Sequence, residues 1–312
     1  MKHTDRILIT GGTGMVGHAL TRLLLNKGFT NVVVIGRKTC DLTDAFSAKR
    51  LFLTVAPDYV FHLAAQVYGI GGNTKFPSDV LFNNTMINMN TIEFARRSGV
   101  KKLVAMGSGC VYPELSKGEE LFEDQIWLGE PHSSEVAYAH AKRLMLAHLF
   151  AAKKQYNFEF AYAISGNLYG EYDHFDIDNG HIIPSLIAKF HQATLDGKPV
   201  NVWGSGIAVR DFSYSGDIAD ALFCLMKKGN GPINMGSGFR HPIKDIVSIL
   251  QDICKVEIKW DDSKPDGQLE RYYNLDKLKD LGFYAKVTLN EGIKKVYNWY
   301  NQYQREVTRG KH

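Results

Sequence analysis

The chain lacks the long apolar run that a membrane-spanning helix requires. No uninterrupted stretch among its 312 residues approaches the roughly 20 apolar residues that cross a bilayer. Residues 1–6 are mostly polar and run directly into a short apolar segment, so we expect no signal peptide. These features predict a cytoplasmic protein with no membrane partner.

The sequence also has few cysteines, and their spacing pairs none of them. The four are Cys40, Cys110, Cys224 and Cys254, and no two are spaced like a metal-binding pair. Dispersed cysteines are typical of reduced thiols in a cytosolic protein rather than of a disulfide framework. We therefore expect neither structural disulfides nor a bound metal.

The chain carries only a small excess of positive charge. Lysine and arginine number 37 against 33 aspartates and glutamates, which gives a formal net charge of +4. The basic residues are dispersed along the chain, so the sequence lacks the basic patch typical of a nucleic-acid-binding protein. A few cations that bind the diphosphate of a small ligand would account for the small positive net charge equally well.

The first half of the chain alternates short apolar runs with helical patterns. Strands are predicted at residues 6–10, 31–36, 59–63, 102–106 and 158–164, and helices at 17–27, 45–53, 84–98 and 138–156. Strands separated by helices imply an α/β fold with a Rossmann-type, doubly wound parallel sheet. After about Tyr169 the pattern becomes rich in turns. We therefore predict a large lobe of residues 1–169 and a smaller lobe of residues 170–312, partly interleaved with the first.

A glycine-rich segment lies between the first predicted strand and the first predicted helix. Residues 12–17 satisfy G-x-G-x-x-G, and Gly11, Gly14 and Gly17 also fit the G-x-x-G-x-x-G variant. Glycines at these places let the backbone approach a pyrophosphate, whose charge suits a helix amino terminus. The segment predicts a dinucleotide site that includes Gly11, Gly14, Met15, Val16 and Gly17.

The end of the second predicted strand indicates which dinucleotide is bound. An NAD site usually carries an acidic residue there, which binds the ribose 2′-hydroxyl. This chain has Gly36, Arg37 and Lys38 instead, and two cations suit a 2′-phosphate. We predict NADP(H), with Arg37 at the phosphate and with Asp41 and Leu42 near the adenine.

Tyr138 and Lys142 are four residues apart on a predicted helix, so they share one face. A nearby ammonium favours tyrosinate and is expected to lower a phenol pKa that starts at about 10. A tyrosine of this kind can donate a proton to a carbonyl oxygen as the carbonyl is reduced. The pair therefore predicts a reductase.

Further segments carry a resemblance that runs along nearly the whole chain. They are S-G-C-V-Y-P at residues 108–113, N-L-Y-G at 167–170, H-I-I-P at 181–184, V-W-G-S-G at 202–206, R-D-F at 210–212 and S-K-P-D-G at 263–267. With these segments the chain resembles the extended short-chain dehydrogenase/reductases, and within them the GDP-L-fucose synthases, which are GDP-4-keto-6-deoxymannose epimerase-reductases.

The resemblance implies a role for each residue of two small groups. Ser108, Tyr138 and Lys142 would form the reductase triad: Ser108 bonds the substrate carbonyl oxygen, Tyr138 protonates it and Lys142 binds the nicotinamide ribose. Cys110 and His181 would exchange protons at C3 and C5 of the 4-keto sugar, since the ketone acidifies the adjacent C–H bonds.

The resemblance also implies a binding site for the GDP-sugar. Lys189, Arg210 and Lys264 would hold the diphosphate, because cations suit phosphate oxygens. Trp203 would sandwich the guanine with Ile182 and Leu186, although core packing is an alternative for Trp203. Asn167 would contact the sugar or the α-phosphate. Three nearby carboxylates are expected to serve as structural caps or pairs: Asp211, Asp217 and Asp220.

The chain departs from the subfamily pattern at several positions. Thr13 stands where the synthases usually have a basic residue, Gly109 where they have a second serine, and Lys189 where they have an arginine. His174 replaces a common asparagine, and residues 68–73 differ from the usual glycine-rich loop. Several of these positions fall around the expected sugar pocket, so the sugar is left open between a deoxyhexose and a heptose.

Taken together, these features predict an NADPH-dependent 4-keto reductase of a GDP-linked sugar. Three alternatives stay open: a reductase that acts after a separate epimerase, a redox-neutral NAD-dependent nucleotide-sugar epimerase or dehydratase, and a non-catalytic nucleotide-binding regulator. Fold alone does not decide among them, because function resides in the site. The resemblance further implies a homodimer formed through the helix of Tyr138 and the helix at residues 84–98.

Overall fold

The computed structural model describes residues 1–67, 69–114, 120–178, 180–263 and 272–309. Its strands are β1 (Ile7–Thr10), β2 (Val32–Ile35), β3 (Tyr59–His62), β4 (Lys102–Met106), β5 (Glu120–Leu121), β6 (Glu159–Ser165), β7 (Asn167–Tyr169), β8 (Val200–Trp203), β9 (Val209–Arg210), β10 (Phe212–Tyr214), β11 (Gly231–Met235), β12 (His241–Pro242), β13 (Ile258–Asp261) and β14 (Tyr272–Tyr273).

The helices separate these strands along the chain. They are α1 (Met15–Asn26), α2 (Ala45–Val55), α3 (Gly69–Lys75), α4 (Pro77–Arg97), α5 (Val136–Tyr156), α6 (Ile182–Asp196), α7 (Ser215–Lys228), α8 (Ile243–Cys254), α9 (Asp276–Asp280) and α10 (Leu289–Arg309). None of the helices in the described ranges is long and apolar enough to cross a membrane.

Six strands form the central parallel sheet, in the order β11-β6-β4-β3-β1-β2. Strand β1 is buried along its whole length, as expected for a strand with helices on both faces of the sheet. This architecture confirms the predicted Rossmann-type sheet, and the predicted strand 102–106 coincides with β4. The sequence analysis missed β11, which residues 231–235 add beside β6 at the edge of the sheet.

Separate apolar layers cover the two faces of the sheet. One layer joins α2, α4 and α5 to the sheet around residues such as Leu103 and Leu146. The other joins α1 and α7 around residues such as Leu20 and Leu222. A third core lies mostly within residues 170–312, the predicted smaller lobe, where α6, α8 and α10 pack together around Ile187 and Ile293.

The loops that carry the predicted chemistry leave the carboxyl ends of the parallel strands. The glycine-rich segment follows β1, Arg37 follows β2, Ser108 follows β4 and Asn167 follows β6. In open α/β sheets ligands bind at this edge. The expected loop at residues 68–73 is in part the short helix α3, and Tyr68 lies outside the described residues.

Candidate active site

The glycine-rich turn after β1 is tightly packed on one side and open on the other. Gly11 has φ +69°, and a Cβ there would come within 2.6 Å of the Ala64 nitrogen. A Cβ on Gly17 would overlap the backbone of Gly12. On Gly14, by contrast, a Cβ would meet only the Gly11 oxygen, at 3.4 Å. The backbone at Gly14 is therefore open to close approach by a ligand.

Helix α1 begins at this turn without a side-chain cap. Gly14 is its N-cap residue, and its first turn contains no acidic side chain. The amide groups at the start of a helix carry partial positive charge and need acceptors. An uncapped amino terminus beside an open glycine face fits the pyrophosphate of a dinucleotide, with Met15 and Val16 supplying backbone donors.

The turn after β2 carries an exposed cation, Arg37, close to a loop that contains Asp41. Arg37 is exposed, and it lies within electrostatic reach of Asp41. Hydrogen bonds from the Thr43 hydroxyl (2.7 Å) and amide (2.9 Å), with a smaller effect of Arg37, lower the pKa of the Asp41 carboxyl. Leu42 is buried, and its carbonyl accepts from Asn90 Nδ2 at 2.9 Å. The loop is thus held in place beside a cation that suits a 2′-phosphate.

The helix α5 brings Tyr138 and Lys142 to the end of β4. Lys142 is 2% exposed, and its Nζ donates to the Met106 carbonyl at 2.8 Å. The same ammonium lies 5.6 Å from the centroid of the Tyr138 ring. Ser108 follows Met106 by two residues, so the structure gathers all three triad candidates at one strand end.

The predicted direction of the Tyr138 pKa is wrong for the chain by itself. Burial, with smaller effects of Cys110 and Glu135, raises the pKa of the phenol well above its ordinary value. Burial also lowers the pKa of Lys142 to about 8. Desolvation penalises both charged forms, and it is the largest effect on each of the two groups. Tyr138 is therefore a protonated acid across the neutral range.

Cys110 lies close to the triad candidates. It belongs to a short 3-10 helix, Gly109–Val111, whose N-cap is Ser108, and its amide donates to Ser108 Oγ at 3.4 Å. Cys110 is buried, and it lies within electrostatic reach of both Tyr138 and Lys142. Its thiol is therefore placed beside the group that would protonate the sugar oxygen.

The structure explains why Gly109 replaces the serine of the subfamily. A Cβ at Gly109 would overlap the hydroxyl of Tyr273, and a Cβ at Gly166 would come within 2.7 Å of Tyr273 Cε2. Tyr273 is buried, and its ring lies across the carboxyl ends of β4 and β6. The two glycines make room for this ring, which the sequence analysis did not place at the site.

His181 approaches from the smaller lobe. It is the N-cap residue of α6 and is exposed. It lies within electrostatic reach of the Asp173 carboxyl, whose pKa is raised by burial in spite of His181 and His174. The pairing of His181 with Cys110 in catalysis stays a prediction.

The candidate residues for the guanine and the diphosphate differ in exposure. Trp203 is 53% exposed, which rules out core packing as its role. Lys189 Nζ lies 4.5 Å from the centroid of the Trp203 ring, so the two form one surface. Ile182 is 37% exposed at the start of α6, whereas Leu186 is 6% exposed in the core of the smaller lobe and offers little surface to a base.

The remaining substrate candidates are distributed over three segments. Asn167 begins β7 directly after β6, and Arg210 lies in β9 with its Nη1 donating to the Val209 carbonyl at 2.8 Å. Lys264 lies outside the described residues. As expected, Asp211 has a structural role, because it accepts hydrogen bonds from Ser213, Ser237 and Gly238.

Comparison with known proteins agrees with this geometry. Residues 7–236 match the NAD dependent epimerase/dehydratase family. The chain is 32% identical to the GDP-L-fucose synthase of Escherichia coli (strain K12) over 314 residues, which cover 96% of this chain and 98% of that protein.

Two solved structures are similar over almost their full length. A GDP-L-fucose synthetase from Naegleria fowleri bound to NADP has a TM-score of 0.91 at 30% identity, covering 98% of this chain and 95% of that one. A GDP-mannoheptose C4 reductase from Campylobacter jejuni with NADP bound has a TM-score of 0.87 at 29% identity, covering 96% and 99%.

Proposed function

The chain belongs to the NAD dependent epimerase/dehydratase family, and from that premise we propose that it reduces the 4-keto group of a GDP-linked sugar with NADPH. The observation that carries the proposal is the gathering of Tyr138, Lys142 and Ser108 at the end of β4, at the same edge of the sheet as the open glycine turn. The NADP in both solved relatives supports NADP(H) over the tightly held NAD of a redox-neutral epimerase.

Each triad residue has one task in this reaction. When bound, NADPH supplies the hydride that is transferred to C4 of the sugar. Ser108 donates a hydrogen bond to the C4 oxygen as negative charge develops there. Tyr138, held protonated by its burial, delivers its proton to the same oxygen, and Lys142 offsets the phenolate charge that this leaves.

The same site supports epimerisation at C3 and C5 before reduction. The thiol of Cys110 lies within electrostatic reach of Tyr138, which supports a role for it near the 4-keto group. Withdrawal of a proton beside the ketone needs such a base, and delivery to the opposite face needs a second group, for which we propose His181. The second candidate function is reduction alone, after a separate epimerase.

Four groups of the smaller lobe and its border would hold the nucleotide. Trp203 and Ile182 offer exposed apolar surface to the guanine, and Lys189 and Arg210 offer cations to the diphosphate. Both relatives with solved structures act on GDP-linked compounds, one of them a heptose. We accordingly propose a GDP-linked deoxyhexose or heptose as the substrate.

We further propose that the protein is a cytoplasmic homodimer. Its four cysteines are free, as expected in a reducing compartment. Exposed apolar side chains occur on both α4 and α5: Leu81, Phe82, Leu144 and Phe150. Exposed apolar side chains on two helices that pack together are typical of a surface that another chain covers.

The decisive experiment is NADPH oxidation with GDP-4-keto-6-deoxymannose in deuterated water, with the product examined by NMR. Turnover with deuterium at C3 and C5 supports the epimerase-reductase, and turnover without it supports the reductase alone. If neither this sugar nor a GDP-4-keto-heptose oxidises NADPH, the proposed reduction is wrong.

The Tyr138→Phe variant tests the proton donor, with Tyr156→Phe as its matched control. Loss of the proton donor is expected to lower kcat by about a hundredfold or more, while NADPH still binds. Tyr156→Phe, at the exposed end of the same helix, should leave kcat unchanged. A Tyr138→Phe enzyme with wild-type turnover would remove Tyr138 from the mechanism.

A further inference from the structure

A continuous chain of buried hydrogen bonds crosses the large lobe beneath the active site. Thr10 Oγ1 lies 2.7 Å from His62 Nδ1, and His62 Nε2 lies 3.0 Å from Asn88 Oδ1. Asn88 Nδ2 donates to the Ala141 carbonyl at 3.3 Å. Thr10, His62 and Asn88 are each at most 1% exposed, so these bonds form out of contact with water.

The acceptor at one end determines the direction of every bond in this chain. A carbonyl only accepts, so the amide of Asn88 must present its NH2 to Ala141 and its oxygen to His62. The imidazole therefore carries its hydrogen on Nε2 and accepts at Nδ1 from the Thr10 hydroxyl. Thr10 Oγ1 in turn accepts from the Ala64 amide at 3.4 Å.

A neutral imidazole is required for this arrangement. A doubly protonated ring would present a second donor to Thr10 and leave its positive charge buried. Burial and the nearby charge of Lys142 lower the pKa of His62 to about 3. His62 therefore keeps one tautomer throughout the neutral range, and it adds no second cation beside Lys142.

The chain of bonds joins the two halves of the proposed active site. Thr10 is the last residue of β1, immediately before the glycine turn, and His62 is the last residue of β3. Asn88 lies on α4, and Ala141 lies on α5 between Tyr138 and Lys142. A second hydrogen bond holds the backbone of this segment, because the backbone carbonyl of Lys142 accepts from Tyr162 Oη at 3.1 Å.

We propose that His62 and Asn88 are positioning residues that fix the Tyr138–Lys142 segment of α5 relative to the glycine turn. The proposal rests on the reduction proposed above. Because the reacting groups sit on different elements, a shift of α5 by a fraction of an ångström would separate Tyr138 from the C4 oxygen. Neither residue contacts the substrate in this scheme, so both act through Tyr138 and Lys142.

The test removes the bond to Ala141 while keeping the packing. Asn88→Leu is expected to lower kcat by about ten- to a hundredfold and to weaken NADPH binding by about twofold to tenfold through Lys142. The control is Thr91→Val on the same helix, which loses one buried bond, from Thr91 Oγ1 to the Ile87 carbonyl at 2.7 Å. Its kcat and NADPH affinity should stay at the wild-type values, even if its melting temperature falls.

Rescue by a conservative variant separates positioning from general loss of stability. His62→Gln retains one donor and one acceptor and should recover most of the kcat, whereas His62→Leu should not. If Asn88→Leu and His62→Leu fold and turn over at the wild-type rate, the positioning role is wrong. If the wild-type protein reduces no GDP-sugar, the proposed function fails instead, and NADPH affinity measured by fluorescence titration still decides the positioning role.

Discussion

At the scale of single residues, burial controls the chemistry of the site. Lys142 is 2% exposed and bonded to the Met106 carbonyl, and the phenol of Tyr138 is desolvated beside it. Both side chains are thereby pushed toward their neutral forms. The environment of the site therefore favours the protonated form of Tyr138, which suits a residue that donates one proton in each turnover.

The first prediction concerns the pH dependence of the reaction. The pKa of Lys142 is lowered to about 8, and the pKa of Tyr138 is raised, so the first group to lose a proton as the pH rises is Lys142. We expect kcat/KM to be level near pH 7 and to fall above pH 8 by about tenfold per unit.

The control is circular dichroism over the same pH range, which shows whether the fall in rate reflects unfolding. A profile of kcat/KM that stays level to pH 9.5 would contradict the assignment of this limb to Lys142.

The second prediction concerns Gly109. Gly109→Ser is expected to lower the free energy of unfolding by about 1–3 kcal/mol, because the new Cβ would overlap the Tyr273 hydroxyl. The Tyr273 ring has little room to move away, since it also packs closely against Gly166. Combining Gly109→Ser with Tyr273→Leu should recover part of the loss, since the smaller side chain vacates this space.

Urea unfolding of the two single variants and the double variant measures this coupling. If the effects of the two changes simply add, Tyr273 is not the reason for the glycine.

At the scale of elements, we expect the β1–α1 turn and the turn after β2 to divide the recognition of the cofactor between them. The open face of Gly14 and the uncapped start of α1 suit the pyrophosphate. We expect the tip of β2 to discriminate between NADPH and NADH, because Arg37 is exposed there. Thr13, in the glycine-rich turn, supplies no cation of its own.

The third prediction follows from that division. Arg37→Ala should raise the KM for NADPH by about tenfold or more and leave the KM for NADH nearly unchanged, because only the former carries a 2′-phosphate. Lys49→Ala, an exposed cation on α2, is the matched control and should alter neither value. An Arg37→Ala enzyme with an unchanged preference for NADPH would place the 2′-phosphate elsewhere.

At the scale of the whole molecule, the apolar surface of α4 and α5 remains after both sheet faces have been covered. Leu144 is 44% exposed and Phe82 is 62% exposed, although the inner faces of their helices are packed on the sheet. Burial of such side chains against a second copy would remove their apolar area from water.

The fourth prediction tests this surface. Light scattering is expected to give twice the 35.0 kDa mass of the chain, and Leu144→Lys should shift the equilibrium toward the monomer. The control is Leu195→Lys on α6, because this leucine is even more exposed than Leu144, 69% against 44%, and lies on another helix. A wild-type protein that scatters as a monomer would contradict the proposed dimer.

Local patterns determined much of this protein. Hydrophobic runs located five of the six sheet strands, because each is a short buried segment bounded by turns. The glycine spacing predicted the cofactor turn, and the Tyr138–Lys142 spacing predicted the catalytic helix, since each pattern lies within one turn or one helix. The missed strand β11 lies far along the chain and joins the sheet only by pairing with β6.

Only the tertiary structure decided how the site behaves. The direction of the Tyr138 pKa, the overlap of Gly109 with Tyr273 and the bonds from Thr10 to Ala141 all depend on contacts between distant segments. Desolvation and packing act between neighbours in space, and sequence spacing does not reveal those neighbours. The sequence by itself therefore predicted which groups would do the chemistry, and the fold determined the protonation of those groups, the space around them and their alignment.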